Sequence, residues 1–267
     1  MTYWLLYLAL GGTAGLLAGL LGVGGGIVIV PALTGLFAAQ RIPAAFHLRL
    51  ALGTSLATIA FTSLASVRAH HLRGAVDWRV FRRVTPGILV GTLLGSWVAA
   101  RLSPRFLEGF FVVFLYYVAL QLVLDVRPRP SRQLPGTGGM LGAGGLIGGV
   151  SSLVGIGGGS MSVPFLVWCN VSVREAIGTS AAIGFPIALA GAAGYVANGL
   201  AVEALPPHSL GFVYLPALLG VAAASTLTAP VGARLAHALP VAMLKRIFAL
   251  LLAAIGTKML AGLAGLT

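Results

Sequence analysis

Charge is scarce in this chain, and negative charge scarcest of all. Only 8% of its 267 residues are charged and five are acidic, against roughly 25% charged residues in a soluble domain. With 58% hydrophobic residues and a mean hydropathy of +1.00, that excludes a soluble globular domain. It describes an all-α, polytopic membrane protein with little mass outside the bilayer. The five acids, Asp77, Glu108, Asp125, Glu175 and Glu203, fall near expected helix ends or in loops. No carboxylate therefore stands mid-membrane to relay a proton or hold Na⁺. A single cysteine, Cys169, excludes an internal disulfide and reads as a small apolar filler. No basic stretch precedes the apolar run at Leu5–Leu21, so that run is read as a retained first helix and not a signal peptide. No His–Asp partnership is visible, which argues against an intramembrane enzyme. Nothing in the sequence calls for a metal or a cofactor.

Basic residues are the exception to the scarcity, and they bring the net charge to +12. They are spread over short loops and form no single face, so no nucleic-acid partner is expected. Collection of Arg and Lys on cytoplasmic loops explains most of the excess. The partners expected are the lipid bilayer and a small anion. The oligomeric state is left open, a homodimer included.

Glycine is abundant, with 38 residues, and it has a pattern. Gly22-Val23-Gly24-Gly25-Gly26-Ile27-Val28-Ile29-Val30-Pro31 returns as Gly155-Ile156-Gly157-Gly158-Gly159-Ser160-Met161-Ser162-Val163-Pro164. Each Gly costs a helix about 1 kcal/mol relative to Ala. Freed backbone groups are tolerated in lipid only inside protein or along a polar cavity. Each copy is therefore predicted to break a helix at a site. A helix starting after such a break offers unpaired N–H groups and the positive end of its dipole to an anion, and glycine lets the anion come close.

Other landmarks repeat in the same order. Arg49 to Gly53-Thr54-Ser55 matches Arg174 to Gly178-Thr179-Ser180. Pro86 matches Pro216, and Arg101-Leu102 matches Arg234-Leu235. The chain thus divides into a first repeat at 1–124, a Pro-rich basic linker at 125–139 and a second repeat at 140–267, with about 8–10 helices in all. The expected helices are 3–21, 27–40, 50–67, 84–100 and 106–124, with Arg41–Arg49 and the basic stretch 68–83 as loops. The second half replays this order, with a loop at Asn198–Ser209.

Charge counting separates inverted from parallel repeats. If the loop 68–83 is cytoplasmic, inversion places twelve Arg and Lys inside and only Arg41, Arg49, Arg101 and Arg105 outside, with Lys258 in the last helix. A parallel arrangement divides them eight and eight. Inversion fits the positive-inside rule better, and it requires an odd number of crossings per half. Inverted repeats with broken helices are a transporter signature, with the substrate at the midplane. An anion leaving a negative-inside cell gains about 2.3 kcal/mol per charge per 100 mV, so export could run on the potential alone.

The paired Gly-x-Gly-Gly-Gly-x4-Pro elements, the paired Gly-Thr-Ser helices and the basic first-half loop resemble the TauE/SafE family of sulfite and organosulfonate exporters, over essentially the whole chain. The resemblance implies a multi-pass protein of the bacterial inner membrane that exports sulfite, sulfoacetate or related oxyanions. By matched position it implies a substrate site of Gly24, Gly25, Gly26, Gly157, Gly158 and Gly159, with Thr54, Ser55, Thr179 and Ser180. Ser160, standing where the first copy has Ile27, joins this set and makes the second half-site the more polar. Arg101 and Arg234, equivalent and at helix ends, are candidate gates, although anchoring by snorkelling is the plainer role for such residues. A carrier for another small anion, or an importer, fits the same residues.

Overall fold

A computed structural model describes residues 2–21, 25–124, 131–235 and 241–265 of the chain. Ten helices run through them: α1 (Thr2–Leu21), α2 (Gly26–Ala39), α3 (Ala44–Leu72), α4 (Trp78–Arg101), α5 (Pro104–Leu124), α6 (Thr137–Val154), α7 (Gly159–Trp168), α8 (Val173–Gly199), α9 (Leu215–Leu235) and α10 (Val241–Leu263). Seven of them are long and apolar enough to cross a membrane. The helices α2 and α7 are short, 14 and 10 residues, or about 21 and 15 Å at ~1.5 Å per residue. α7 begins at the second glycine element, after the turn at Gly155–Gly158, and α2 begins at Gly26 of the first, whose residues 22–24 lie outside the described residues.

Several boundaries differ from the sequence expectation. The basic stretch 68–83 is mostly helical. α3 runs on to Leu72 and α4 starts at Trp78, leaving only Arg73–Asp77 between them. Asp77 sets that start: its carboxylate accepts hydrogen bonds from the N–H groups of Arg79 and Val80, at 2.8 and 3.1 Å, the role of an N-cap residue. Pro86 therefore lies inside α4, not at its start. Arg41–Arg49 is likewise not a loop, because α3 begins at Ala44, directly after Pro43. The segment after α8 contains a small antiparallel hairpin, β1 (Ser209–Leu210) and β2 (Val213–Tyr214).

The packing follows a pattern of exchange. α1 packs on α9, and its counterpart α6 packs on α4. α2 packs on α3 as α7 does on α8. α3 packs on α9 as α8 does on α4, while α3 meets α8 and α5 meets α10. The directions can be read from close approaches. Along α4 and α6, Gly87, Gly91 and Gly95 lie against the backbone of Leu141, Gly145 and Gly149, so these helices run parallel. α1 and α9 are parallel too, since Gly11 meets Val221 and Gly15 meets Ser225. By contrast α3 and α8 are antiparallel: Gly53 lies beside Tyr195, Leu56 beside Gly191, and the segment after α3 reaches Gly178 near the start of α8. Backbones this close leave no room for a Cβ, which is how membrane helices gain contact from small residues. The core between them is apolar and includes Ile27, Leu52, Leu56, Ile88, Phe111 and Ile187.

Candidate functional site

The Gly-Thr-Ser turns sit where the two halves interlock. Thr54 and Thr179 are both fully buried, and each receives a backbone N–H from a loop of the opposite half. Tyr214 N donates to Thr54 Oγ1 and Asp77 N donates to Thr179 Oγ1, both at 2.9 Å. The glycine before each threonine makes the approach feasible. A Cβ on Gly53 would strike the Phe212 carbonyl oxygen, and one on Gly178 would strike that of Ala75. The two turns thus hold equivalent loops in equivalent ways. Tyr214 is further fixed edge-on to Phe37 of α2, with ring centres 5.5 Å apart.

Each serine of the pair points at the second glycine element. Ser55 Oγ donates to the Gly155 carbonyl at 2.8 Å. Ser180 Oγ lies 2.6 Å from Ser162 Oγ, and Ser162 Oγ is 2.9 Å from the Gly158 carbonyl. If Ser162 gives its one proton to that carbonyl, Ser180 donates to Ser162. The first glycine element joins them at Gly26, which starts α2 against Gly155 and Ile156: a Cβ there would lie 3.1 Å from Ile156 Cα and against the Gly155 oxygen. Gly25 precedes it as the residue before the helix, and its carbonyl accepts from Val28 N and Ile29 N. Gly24 lies outside the described residues. The parts that are described converge: residues of both breaks meet beside α3 and α8.

Around the second break the backbone is sharply turned. Gly155 and Gly158 have φ of 69° and 77°, the left-handed region that costs an L-residue roughly 1–2 kcal/mol. Gly158 caps α7, and its carbonyl takes the N–H groups of Met161 and Ser162. The N–H groups of Gly157, Gly158, Gly159 and Ser160 have no hydrogen-bond partner among the described residues. Two side chains beside them share that condition. Ser160 Oγ, on the first turn of α7, and Ser151 Oγ, on α6, are buried without a partner. Ser151 stands next to the turn, since a Cβ on Gly158 would be 3.4 Å from its oxygen. A buried hydroxyl left unpaired costs about 1–3 kcal/mol, and here two such groups border a turn of free N–H groups. All can donate, and none of these groups is a cation or a carboxylate. Such a set matches a small anion, which helix N-termini bind readily.

Sequence reasoning passed over Ser151, which sits outside both repeated motifs and whose match in the first half is Ala18. Thr92 of α4 is a second buried, unpaired hydroxyl that no motif marked. Among the expected gates, Arg101 is exposed, donates to the Trp97 carbonyl at 3.1 Å and stacks on the Trp97 ring at 3.8 Å. It also reaches Asn198 Oδ1 at 3.5 Å. It stands at a helix end, apart from the glycine turns. The side chain of Arg234 lies outside the described residues. Cys169 is buried at the end of α7, where burial pushes its thiol up, against the needs of a redox thiolate.

Comparison with known proteins decides the family. The family described as "Sulfite exporter TauE/SafE" matches residues 7–259. The chain belongs to the TauE/SafE family. A "Probable membrane transporter protein" of Haemophilus influenzae is 37% identical over 260 residues, covering 97% of this chain and 98% of its own. Two Bacillus subtilis relatives, the probable membrane transporter proteins YunE and YdhB, are each 28% identical. They cover 73% and 86% of this chain, and 79% and 89% of their own lengths. No solved structure matches. This TauE/SafE protein is accordingly a multi-pass membrane transporter, and the bacterial inner membrane fits its relatives.

Proposed function

We propose that this TauE/SafE transporter exports small sulfur oxyanions or sulfonates, of the sulfite or sulfoacetate type, through two inverted repeats, 1–124 and 140–267. The observation that carries the reading is the turn at Gly157–Ser160, whose four N–H groups have no partner among the described residues and which lies beside the unpaired hydroxyls of Ser160 and Ser151. A tetrahedral or pyramidal oxyanion presents several acceptor oxygens and no donor, which this donor set complements. Gly25 and Gly26 bring the N-terminus of α2 to the same place. Ser55, Ser162 and Ser180 line its edge, and Thr54 and Thr179 tie the segments at Tyr214 and Asp77 to α3 and α8. Hydrogen bonds to a charged group contribute about 1.5–3 kcal/mol each, net of exchange with water, so these donors can hold the anion without a buried cation.

The antiparallel course of α3 and α8, whose Gly-Thr-Ser turns correspond, supports inversion. So does the common end shared by Arg174 and the α3–α4 loop, where Arg174 Nη2 donates to the Arg73 carbonyl at 2.7 Å. With five helices among the described residues of each half, the short α2 and α7 complete an odd number of passages. Thr54, Ser55, Ser151, Ser162 and Thr179 are wholly buried, so a substrate reaches them only if the surrounding helices move. Rocking of one repeat against the other would open the site to each side in turn. Proteoliposomes loaded with sulfite test the reading: potential-driven efflux is expected, and an absence of flux for every small sulfur anion would refute the substrate class.

A further inference from the structure

We propose that the cleft between the end of α3, the start of α4 and the middle of α8 binds an anionic phospholipid, with an acyl chain inside and the phosphate at Arg68 and His71. The cleft has a volume of about 380 Å³, in the range of small-molecule pockets. Its walls are apolar and aromatic: Leu64 of α3, Trp78 and Phe81 of α4, and Phe185 of α8. Trp78 stands edge-on between His71 and Phe81, with ring centres 5.5 and 5.3 Å away. Leu64 and Trp78 are 58% and 38% exposed, so the cleft opens sideways, where acyl chains lie, with an indole at the level such rings prefer.

The polar groups are confined to one end. Trp78 Nε1 donates to His71 Nδ1 at 3.2 Å. An indole N–H is a donor only, so Nδ1 is the acceptor and the neutral ring carries its proton on Nε2. That leaves Nε2–H as a donor for a phosphate oxygen. Arg68 lies one helical turn before His71 and lines the same cleft. The local acids are engaged elsewhere: Asp77 caps α4, and Glu175 accepts from Ser172 Oγ at 2.7 Å. Arg73, Arg79 and Arg174 add to the positive field at this end, the end that faces the anionic cytoplasmic leaflet under the positive-inside rule. A small dehydrated anion finds no donors inside such walls and would be expelled. An amphiphile with an apolar tail and a phosphate satisfies both parts, so this is a lipid site and not part of the transport route.

The test uses the full chain with Trp78 as its one tryptophan (W4F/W97F/W168F), in detergent micelles, titrated with brominated phosphatidylglycerol or brominated phosphatidylcholine. Saturable quenching of Trp78 is expected at about five- to tenfold lower phosphatidylglycerol, as two cationic or donor groups near an anionic headgroup imply. R68A/H71A should remove that preference, and a protein with Trp4 alone should never show it. Equal quenching by both lipids, or a preference that survives R68A/H71A, overturns the proposal. Displacement of the lipid by millimolar inorganic phosphate overturns it as well, by making the site one for free phosphate. If the tryptophan variants do not fold, native mass spectrometry of the unmodified chain decides. Retained phosphatidylglycerol that is lost in R68A/H71A supports the site, and equal retention refutes it.

Discussion

Removing the two unpaired hydroxyls, in S151A/S160A, should separate stability from function. Both oxygens are buried without a hydrogen-bond partner, and neither carries a described contact that holds the fold. An unpaired buried hydroxyl is destabilising by about 1–3 kcal/mol, so alanine should leave the protein as stable as before or more so. At about 2–4 °C per kcal/mol for a chain of this size, the thermal midpoint in detergent should hold or rise by a few degrees. Transport should move the other way. Each hydroxyl given to a charged substrate contributes about 1.5–3 kcal/mol, or roughly 10- to 150-fold in affinity at 1.4 kcal/mol per tenfold. Efflux from proteoliposomes should therefore show an apparent substrate affinity at least tenfold weaker for either single variant. A melting point lowered by several degrees with unchanged efflux would refute the reasoning, because the hydroxyls would then be structural and the anion elsewhere.

Four further outcomes follow from the same geometry. T54V and T179V keep the side-chain shape but leave Tyr214 N–H or Asp77 N–H without an acceptor. Each should lower stability by about 1–3 kcal/mol, read as a drop in melting temperature, and the two losses should be similar because the contacts are equivalent. G158V places a branched side chain at φ 77° and against Ile187; flux should vanish while expression in the membrane persists, and retained flux would sink the site at the second break. D77A removes the cap of α4 and should cost about 1 kcal/mol, with efflux little changed once the protein is folded. Alkylation of Cys169 by a thiolate-selective reagent should be slow at neutral pH and accelerate only well into the alkaline range, since burial holds the thiol protonated; fast labelling at neutral pH would contradict its placement.

Much of this arrangement was legible in the residues. Gly-x-Gly-Gly-Gly cannot continue a helix at low cost, and the described parts of both breaks meet between α3 and α8. The repeated Gly-Thr-Ser turns also occupy equivalent places. What the sequence hid were contacts made across long separations. Thr54 and Thr179 read as site-lining hydroxyls, and their oxygens also accept Tyr214 N–H and Asp77 N–H, from partners 160 and 102 residues away. No local pattern marks such pairs. The helix start at Asp77 was masked by the density of arginine around it, which suggested one long loop, and by Pro86, which suggested a later start. Ser151 was invisible for a different reason: a lone serine on a glycine-rich helix is ordinary, and only its burial without a partner sets it apart.

The central claim is that the turn at Gly157–Ser160 holds a small sulfur anion on its way out of the cell. The most direct test is efflux from proteoliposomes loaded with sulfite or a small sulfonate, with and without an imposed potential, for the native chain and for S160A. Potential-driven efflux that is strong in the native chain and at least tenfold weaker in apparent affinity in S160A is the predicted result. Efflux identical in the two proteins, or no flux of any sulfur anion, would contradict it.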